Sequence, residues 1–306
     1  MNNKTCILIS TYNGERYIED QIKSLLAQSV DVDIFIRDDG SKDETVNIIK
    51  SIDSKNIYFI EDDAHNLGPA CSFMELLYSV PDYEYYAFCD QDDVWEPDKI
   101  KSAINMIAKK NNKPMLYTSN QILYKNNAEI GMRFDEEPPH NFVSTIFGNH
   151  LSGCTMVFNR ELKKYLCRKK SRPSNEILQL RMHDTWVALV ANLFGEIIYD
   201  SNSYILYRIH DNNTIGLSRD SFLGKIKQYK KNMFNLKNMR SRYKVSKELL
   251  RCFPEMKTED KDLLNILVKS TSGIHNKLRV LTNKRIRKEA HTNRLILFIN
   301  VLMNWL

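Results

Sequence analysis

Three carboxylates, Asp90, Asp92 and Asp93, fall within four residues, directly after the aromatic and apolar run Tyr85–Cys89. Two carboxylates ~4 Å apart repel by about 1 kcal/mol in water and roughly 4 kcal/mol near a protein surface. A strand that delivers such charges to one place needs a cation there. Hard oxygen donors suit Mg²⁺ or Mn²⁺, and Mg²⁺ commonly uses one or two carboxylates together with substrate phosphates. A second acidic pair, Asp38 and Asp39, follows the apolar run from Val32, and the polar triplet Thr11, Tyr12 and Asn13 follows the run from Thr5. Taken singly, Asp38–Gly40 also fits a plain turn and Asp90–Asp93 a helix cap. Clusters in equivalent places argue for a site instead. No G-x-G-x-x-G follows the first apolar run and no G-x-x-x-x-G-K-[ST] occurs. A nucleotide here would be held by acidic groups accepting from its base or ribose, with a cation on its diphosphate.

Hydrophobic periodicity supplies the elements that must position these residues. "TCILIST" reads as a strand broken by "TYNGE", and "RYIEDQIKSLLAQ" sets Tyr17, Ile18, Ile22, Leu25 and Leu26 at helical spacing. "VDIFIRDDGS" is a second strand, and Asp43 is expected to cap the helix "ETVNIIKSI". "NIYFIED" is a third strand, and "NLGPACSFMELLYSV" a helix entered through Gly-Pro. "EYYAFCDQDD" is a fourth strand, and "EPDKIKSAINMIAKK" a helix with Pro97 at its start. Strands alternating with helices of this length imply an α/β fold with a parallel sheet and helices on its faces. The polar clusters then lie at the carboxyl ends of strands, where open parallel sheets bind ligands. Beyond Lys110, "PMLYTSNQILY" reads as a strand, "FDEEPPHNF" as a loop, and "GNHLSGCTMVFNRE" as loop, strand and helix start. "MHDTWVALVANLFG" is expected as an amphipathic helix ended by Gly195, and "EIIYDSNSYILYRIH" as one or two strands. From Arg219 onward only helical periodicity is visible.

With 306 residues, 42% hydrophobic and 27% charged, the chain is expected to fold as one large domain with an appendage. The cysteines Cys6, Cys71, Cys89, Cys154, Cys167 and Cys252 are scattered without a C-x-x-C pair, as buried thiols of a reducing compartment would be. Met1–Lys4 leads straight into a strand, so no signal peptide is expected, and no apolar run reaches the roughly 20 residues that span a bilayer. The net charge of +6 is divided: residues 1–218 carry 23 Lys and Arg against 31 Asp and Glu, residues 219–306 carry 21 against 7. This asymmetry suggests a surface-binding tail on an acidic body, although a basic solvated helical face would read the same way. A nucleic-acid-binding protein is the non-enzymatic alternative; the acidic body and the absence of a recognisable binding motif in the tail speak against it.

Together, "STYNGERYIEDQI", "IRDDGSKDET", "NLGPACSF", "FCDQDDVWEPDK", "HLSGCTMVFNR", "MHDTWVALVA" and "YRIHDNNTIG" resemble the family 2 glycosyltransferases of GT-A fold. Within that family they look closest to bacterial rhamnosyltransferases that build cell-wall and capsular polysaccharides. The resemblance covers roughly residues 4–218 in consistent order. It implies a GT-A catalytic domain over 1–218, with a mainly parallel central sheet flanked by helices, and a basic helical region over 219–306. It also implies an inverting transfer of one sugar, L-rhamnose from dTDP-rhamnose, to a lipid-linked polysaccharide precursor. UDP-glucose, UDP-galactose and UDP-galactofuranose are the alternative donors. No Q-x-x-R-W occurs, which disfavours processive synthesis.

Carried over residue by residue, the resemblance places Asp38 and Asp39 on the base and ribose, beside Thr11, Tyr12 and Asn13. The D-x-D motif matches Asp90-Gln91-Asp92, with Asp90 toward the ribose or sugar, Asp92 on Mn²⁺ or Mg²⁺, and Asp93 in support. Asp184 matches the base that takes the acceptor proton. His210 is expected to complete the metal site and Arg208 to meet the diphosphate, since imidazole and guanidinium suit those tasks. Gly153, His183 and Asp93 are candidate sugar or acceptor contacts; His183 also reads as a plain helix residue, and Gly153 as part of a turn. Leu295–Leu306, preceded by Lys284, Arg285, Arg287 and Lys288, suits a helix lying on an anionic membrane surface. That location would be the cytoplasmic face of a bacterial cell membrane. Packing on the body or an oligomer seam would use the same apolar residues.

Overall fold

The computed structural model describes residues 4–62, 66–110, 113–210 and 240–306. Strands β1 (Thr5–Thr11), β2 (Val32–Asp38), β3 (Ile57–Ile60) and β4 (Tyr85–Cys89) pair in parallel in the order β3-β2-β1-β4. Helices α1 (Ile18–Leu26), α2 (Thr45–Ser51) and α3 (Pro69–Ser79) make the crossovers, and α4 (Lys99–Ala108) follows β4. The apolar runs are continuous because both faces of the sheet are covered. Along β1, Cys6 and Leu8 join one core while Ile7 and Ile9 join the other; along β4, Tyr86 and Phe88 separate likewise from Ala87 and Cys89. This is the two-residue period of a strand buried on both sides.

The sheet continues from β4 through β8 (Val157–Asn159), β6 (Met115–Lys125), β9 (Glu196–Arg208) and β5 (Val94–Trp95), with β7 (Ala128–Met132) hairpinned onto β6. Antiparallel β8 sits between β4 and β6, so β3, β2, β1, β4, β6 and β9 point one way while β5, β7 and β8 oppose them. The sheet is thus mainly parallel, as the alternation implied. Of the one or two strands expected in "EIIYDSNSYILYRIH" there is one, the long β9, whose register against β6 shifts around Asn120. Two-residue β5 was not read from the sequence. It pairs Val94 with Leu206 and Trp95 with Ile205, tying the acidic loop to the end of β9.

Helices α5 (Phe142–Phe147), α6 (Arg160–Cys167) and α7 (Asn175–Phe194) complete the body. From His183 to Ala191 every residue of α7 is buried, so the amphipathic expectation is corrected: α3, α5, α6 and the helix Ser241–Cys252 enclose it. Asp43 does serve the start of α2, accepting from the Thr45 N–H at 3.1 Å, although it lies one residue before the cap position. Behind α7, the helices Ser241–Cys252, Thr258–Lys269, Ile274–Thr282, Lys284–Glu289 and Arg294–Leu302 bury Leu249, Phe253, Leu264, Ile286 and Val301 in the same core as α3 and α7. The boundary read at residues 218/219 lies outside the described residues. All six cysteines are free thiols.

Candidate active site

A cleft of about 960 Å³ opens at the carboxyl ends of β1, β2 and β4, and the middle of α7 and the end of β9 form its other walls. On the β1 side, Thr11 Oγ1 donates to Asp38 Oδ1 at 2.8 Å. The Asn13 N–H donates to Ser41 Oγ at 2.8 Å, and the Lys42 N–H to Asn13 Oδ1 at 2.9 Å. These bonds lock the loop after β1 to the turn after β2 and leave the Tyr12 ring 44% exposed at the cleft mouth.

Asp38, expected at the base or ribose, closes β2. It does not line the cleft; its oxygens accept from Thr11 and Ser41 hydroxyls and from the N–H groups of Gly40 and Ser41. Its chemistry is consumed in shaping the turn. Asp39 does line the cleft, and it also braces it: Oδ1 accepts from Leu67 N and Arg37, and Oδ2 from Gly68 N at 2.8 Å. Buried Arg37 is balanced by Asp39 and by Asp62 at 2.6 Å, the pairing that a buried cation requires.

The acidic loop divides its labour. Asp90 faces the cleft, and its carboxyl is pushed up to about 7 by burial and by the charges of Asp92 and Asp184. Asp93, expected as a sugar or acceptor contact, is fully buried and does not line the cleft. It accepts the Arg208 N–H at 3.1 Å, and burial raises its carboxyl well above the ordinary range. Beneath the loop, the buried Lys99 ammonium lies 3.6 Å from the centre of the Trp95 ring and is lowered to about 8 by burial. Buried Lys99 sets a positive charge beside Asp93.

Asp92 and His210 meet at the cleft, with Oδ2 and Nε2 2.7 Å apart. Arg208 Nε donates to the Asp92 carbonyl at 2.9 Å, and its guanidinium lies 4.6 Å from the centre of the Tyr17 ring. His210 stacks on the same ring at 5.2 Å. A carboxylate and an imidazole opening together into an acidic cleft fit Mn²⁺ or Mg²⁺ held jointly with a phosphate-bearing ligand. Asp90, Asp93 and Cys154 also bring ligand atoms within 4.8 Å of one another. Asp93 and Cys154 are buried under the cleft floor with Lys99 beside them, so that set is the poorer fit to a substrate-shared ion.

Across the cleft, α7 is broken at Met182, whose backbone stands at φ 65°, ψ 159°. Positive φ at a bulky residue is costly, about 1–3 kcal/mol, and persists only where surrounding structure enforces it. The break starts a new helical turn at His183 and Asp184. Asp184 is 7% exposed yet lines the cleft, and Oδ1 accepts the N–H and the hydroxyl of Thr185. Burial pushes its carboxyl up to about 6, while Thr185, Arg133 and Arg181 hold it down. A carboxyl titrating near neutrality is suited to general-base work. His183 is wedged between Phe73, stacked at 4.3 Å, and Phe88, edge-on at 4.8 Å. Burial lowers its imidazole to about 3, so it is neutral, and neither ring nitrogen has a hydrogen-bond partner among the described residues. Gly153 makes this packing possible, because a Cβ there would sit 2.6 Å from His183 Nε2.

One cleft residue, Tyr17, and one residue behind the cleft wall, Arg133, escaped the sequence reading. Tyr17, taken as part of the helix face, lies one residue before α1 and turns to Arg208 and His210. Arg133, in an unassigned segment, binds Gln121 Oε1 and Ser152 Oγ beside the Asp184 wall. No local motif marks either one.

The Glycosyl transferase family 2 model matches residues 6–166, which contain the cleft's β1, β2 and β4 walls. The chain belongs to glycosyl transferase family 2. A dTDP-rhamnosyl transferase, RfbG, of Shigella flexneri is 33% identical to this glycosyltransferase over 231 residues, 72% of this chain and 77% of that protein. The Escherichia coli UDP-Glc:alpha-D-GlcNAc-diphosphoundecaprenol beta-1,3-glucosyltransferase WfaP is 26% identical over 155 residues, 50% of this chain and 60% of its own. Among solved structures, S. aureus TarS with UDP-GlcNAc superposes with a TM-score of 0.55 at 18% identity, covering 98% of this chain and 92% of that one. The mannosyltransferase PcManGT of Pyrobaculum calidifontis, in complex with GDP-Man and Mn2+, gives 0.50 at 12% identity over 98% and 86%. The glycosyltransferase has the GT-A fold.

Proposed function

We propose that this glycosyltransferase moves a single sugar, with inversion, from a nucleotide-diphospho-sugar to a lipid-linked glycan, and that the donor is dTDP-rhamnose. The observation that carries the reading is the pairing across one cleft of the Asp92–His210 contact with the buried Asp184 carboxyl near 6. In this reading Asp184 takes the proton of an acceptor hydroxyl. The freed oxygen then bonds to the anomeric carbon as the bond from that carbon to the diphosphate oxygen breaks. Attack from the side opposite the leaving group inverts the centre, and no second carboxylate nucleophile is needed. A divalent ion held by Asp92 and His210 would offset the charge of the departing diphosphate. Tyr12 and Asp39 would flank the nucleoside, Arg208 the diphosphate, and His183 would present a neutral imidazole to a sugar hydroxyl.

Rhamnose rests on the likeness to RfbG. The likeness to WfaP supports a second reading in which the same cleft takes a UDP-hexose. Nucleotide release from a donor panel with Mn²⁺ separates the two. The first reading expects turnover of dTDP-rhamnose; turnover of UDP-glucose with none of dTDP-rhamnose replaces it with the second.

The acceptor side rests on the C-terminal helices. Leu295, Phe298, Ile299 and Leu302 of the last helix and Met303 just after it are exposed, and the helix Ile274–Thr282 adds exposed Ile274 and Leu278 beside them. Lys277 donates to the Leu302 carbonyl at 2.7 Å, holding the two helices together. Residues 273–306 carry seven Lys and Arg against one Glu. An apolar face within a cationic segment is complementary to an anionic bilayer, where each cation contributes about 1 kcal/mol. We place the lipid-linked acceptor on that side. Among the described residues no helix is long and apolar enough to cross a membrane.

A further inference from the structure

Gln91, the central residue of the D-x-D motif, has no role in the chemistry above, yet both ends of its side-chain amide are hydrogen-bonded. Its Oε1 accepts the Tyr12 N–H at 2.9 Å, and its Nε2 donates to the Tyr12 carbonyl at 3.1 Å. Main-chain pairing of β1 with β4 ends at Ile9 and Cys89, and that of β1 with β2 at Thr11 and Asp38. The side-chain amide therefore satisfies the Tyr12 peptide groups beyond the end of the sheet. The approach is close enough to dictate the neighbouring residue: a Cβ on Gly14 would sit 2.4 Å from Gln91 Oε1 and 2.7 Å from its Cδ. Only glycine leaves room for the clasp.

We infer that Gln91 is a positioning residue for the donor, clasping the Tyr12–Gly14 loop to the acidic loop so that the nucleoside wall and the Asp92–His210 wall keep a fixed separation. The inference rests on the nucleotide-sugar reading above. Each partner shows what the clasp transmits. Tyr12 carries the exposed ring at the cleft mouth, while Asp92, the residue after Gln91, contacts His210. Glutamate at position 91 would put a carboxylate oxygen against the Tyr12 carbonyl, two acceptors with no proton between them. Methionine would fill the space and make neither bond.

The test is calorimetric binding of dTDP and of UDP, each with Mn²⁺, to the wild-type protein, Gln91→Met, Gly14→Ala and the double variant, with thermal melts to verify folding. Two lost hydrogen bonds should weaken nucleotide binding by about tenfold. In turnover, donor KM should rise more than kcat falls. Because Gly14→Ala expels the Gln91 side chain, the double variant should bind no more weakly than the weaker single, a strongly non-additive cycle. Folded Gln91→Met that binds nucleotide as the wild type does, or additive losses in the cycle, overturns the clasp. If Gly14→Ala does not fold, the Gln91→Met and Gln91→Glu affinities decide alone, both expected weaker. A wild-type protein that binds neither nucleotide overturns the nucleotide-sugar reading itself, and the clasp with it.

Discussion

At the residue scale, Asp39, Asp90, Asp92 and Asp184 line one cleft and differ in burial. As the proposed base, Asp184, pushed up to about 6, would act only when ionised, so kcat/KM is expected to rise with pH through about 6 and fall away below it. A pH–rate profile checks this, and one flat from pH 5 to 7 would remove Asp184 from the base role. Asp184→Asn should lower kcat by about 10²–10⁴-fold with donor affinity nearly unchanged, measured by single-turnover kinetics beside calorimetry. These residues were legible because residue type carries their chemistry. Residue type does not place Asp38 or Asp93: an Asp next to a cleft-facing Asp has the same composition whether it faces the cleft or feeds a turn. Only the hydrogen bonds distinguish them, from Ser41 to Asp38 and from Arg208 to Asp93.

At the element scale, the alternation of apolar runs with amphipathic stretches made β1 to β4 and α1 to α4 visible, and with them the strand ends that carry the site. Nothing local announced β5, whose two residues are a strand only because β9 returns beside them. The break at Met182 was equally silent, since nothing in the residue type of a methionine signals a φ of 65°. The C-terminal helix shows how one segment answers two expectations at once. Leu297, Val301 and Leu306 are buried in the core, while Leu295 on the opposite face is 65% exposed. Removing the segment would therefore injure the fold, so point variants are the cleaner probe. Leu297→Ala is expected to cost about 2–5 kcal/mol in a denaturant melt. Leu295→Ser combined with Phe298→Ser should leave the melt nearly unchanged and weaken sedimentation with anionic vesicles severalfold. Unchanged sedimentation would end the membrane reading of that face.

At the scale of the whole molecule, charge is sorted along the chain: residues 1–218 carry a net −8 and residues 219–306 a net +14. The acidic body holds the cleft, and the basic helices share its core while presenting an apolar face outward. A donor bearing a diphosphate approaches an acidic body favourably only with a cation to offset the like charge. The whole-molecule expectation is thus that turnover requires a divalent ion, and Asp92→Asn should abolish the metal-dependent rate in a protein that still melts cooperatively. The measurement that tests this most directly is nucleotide release from the accepted donor in excess chelator, followed by readdition of Mn²⁺. The account predicts loss of release and its recovery; full release in the chelator would contradict it.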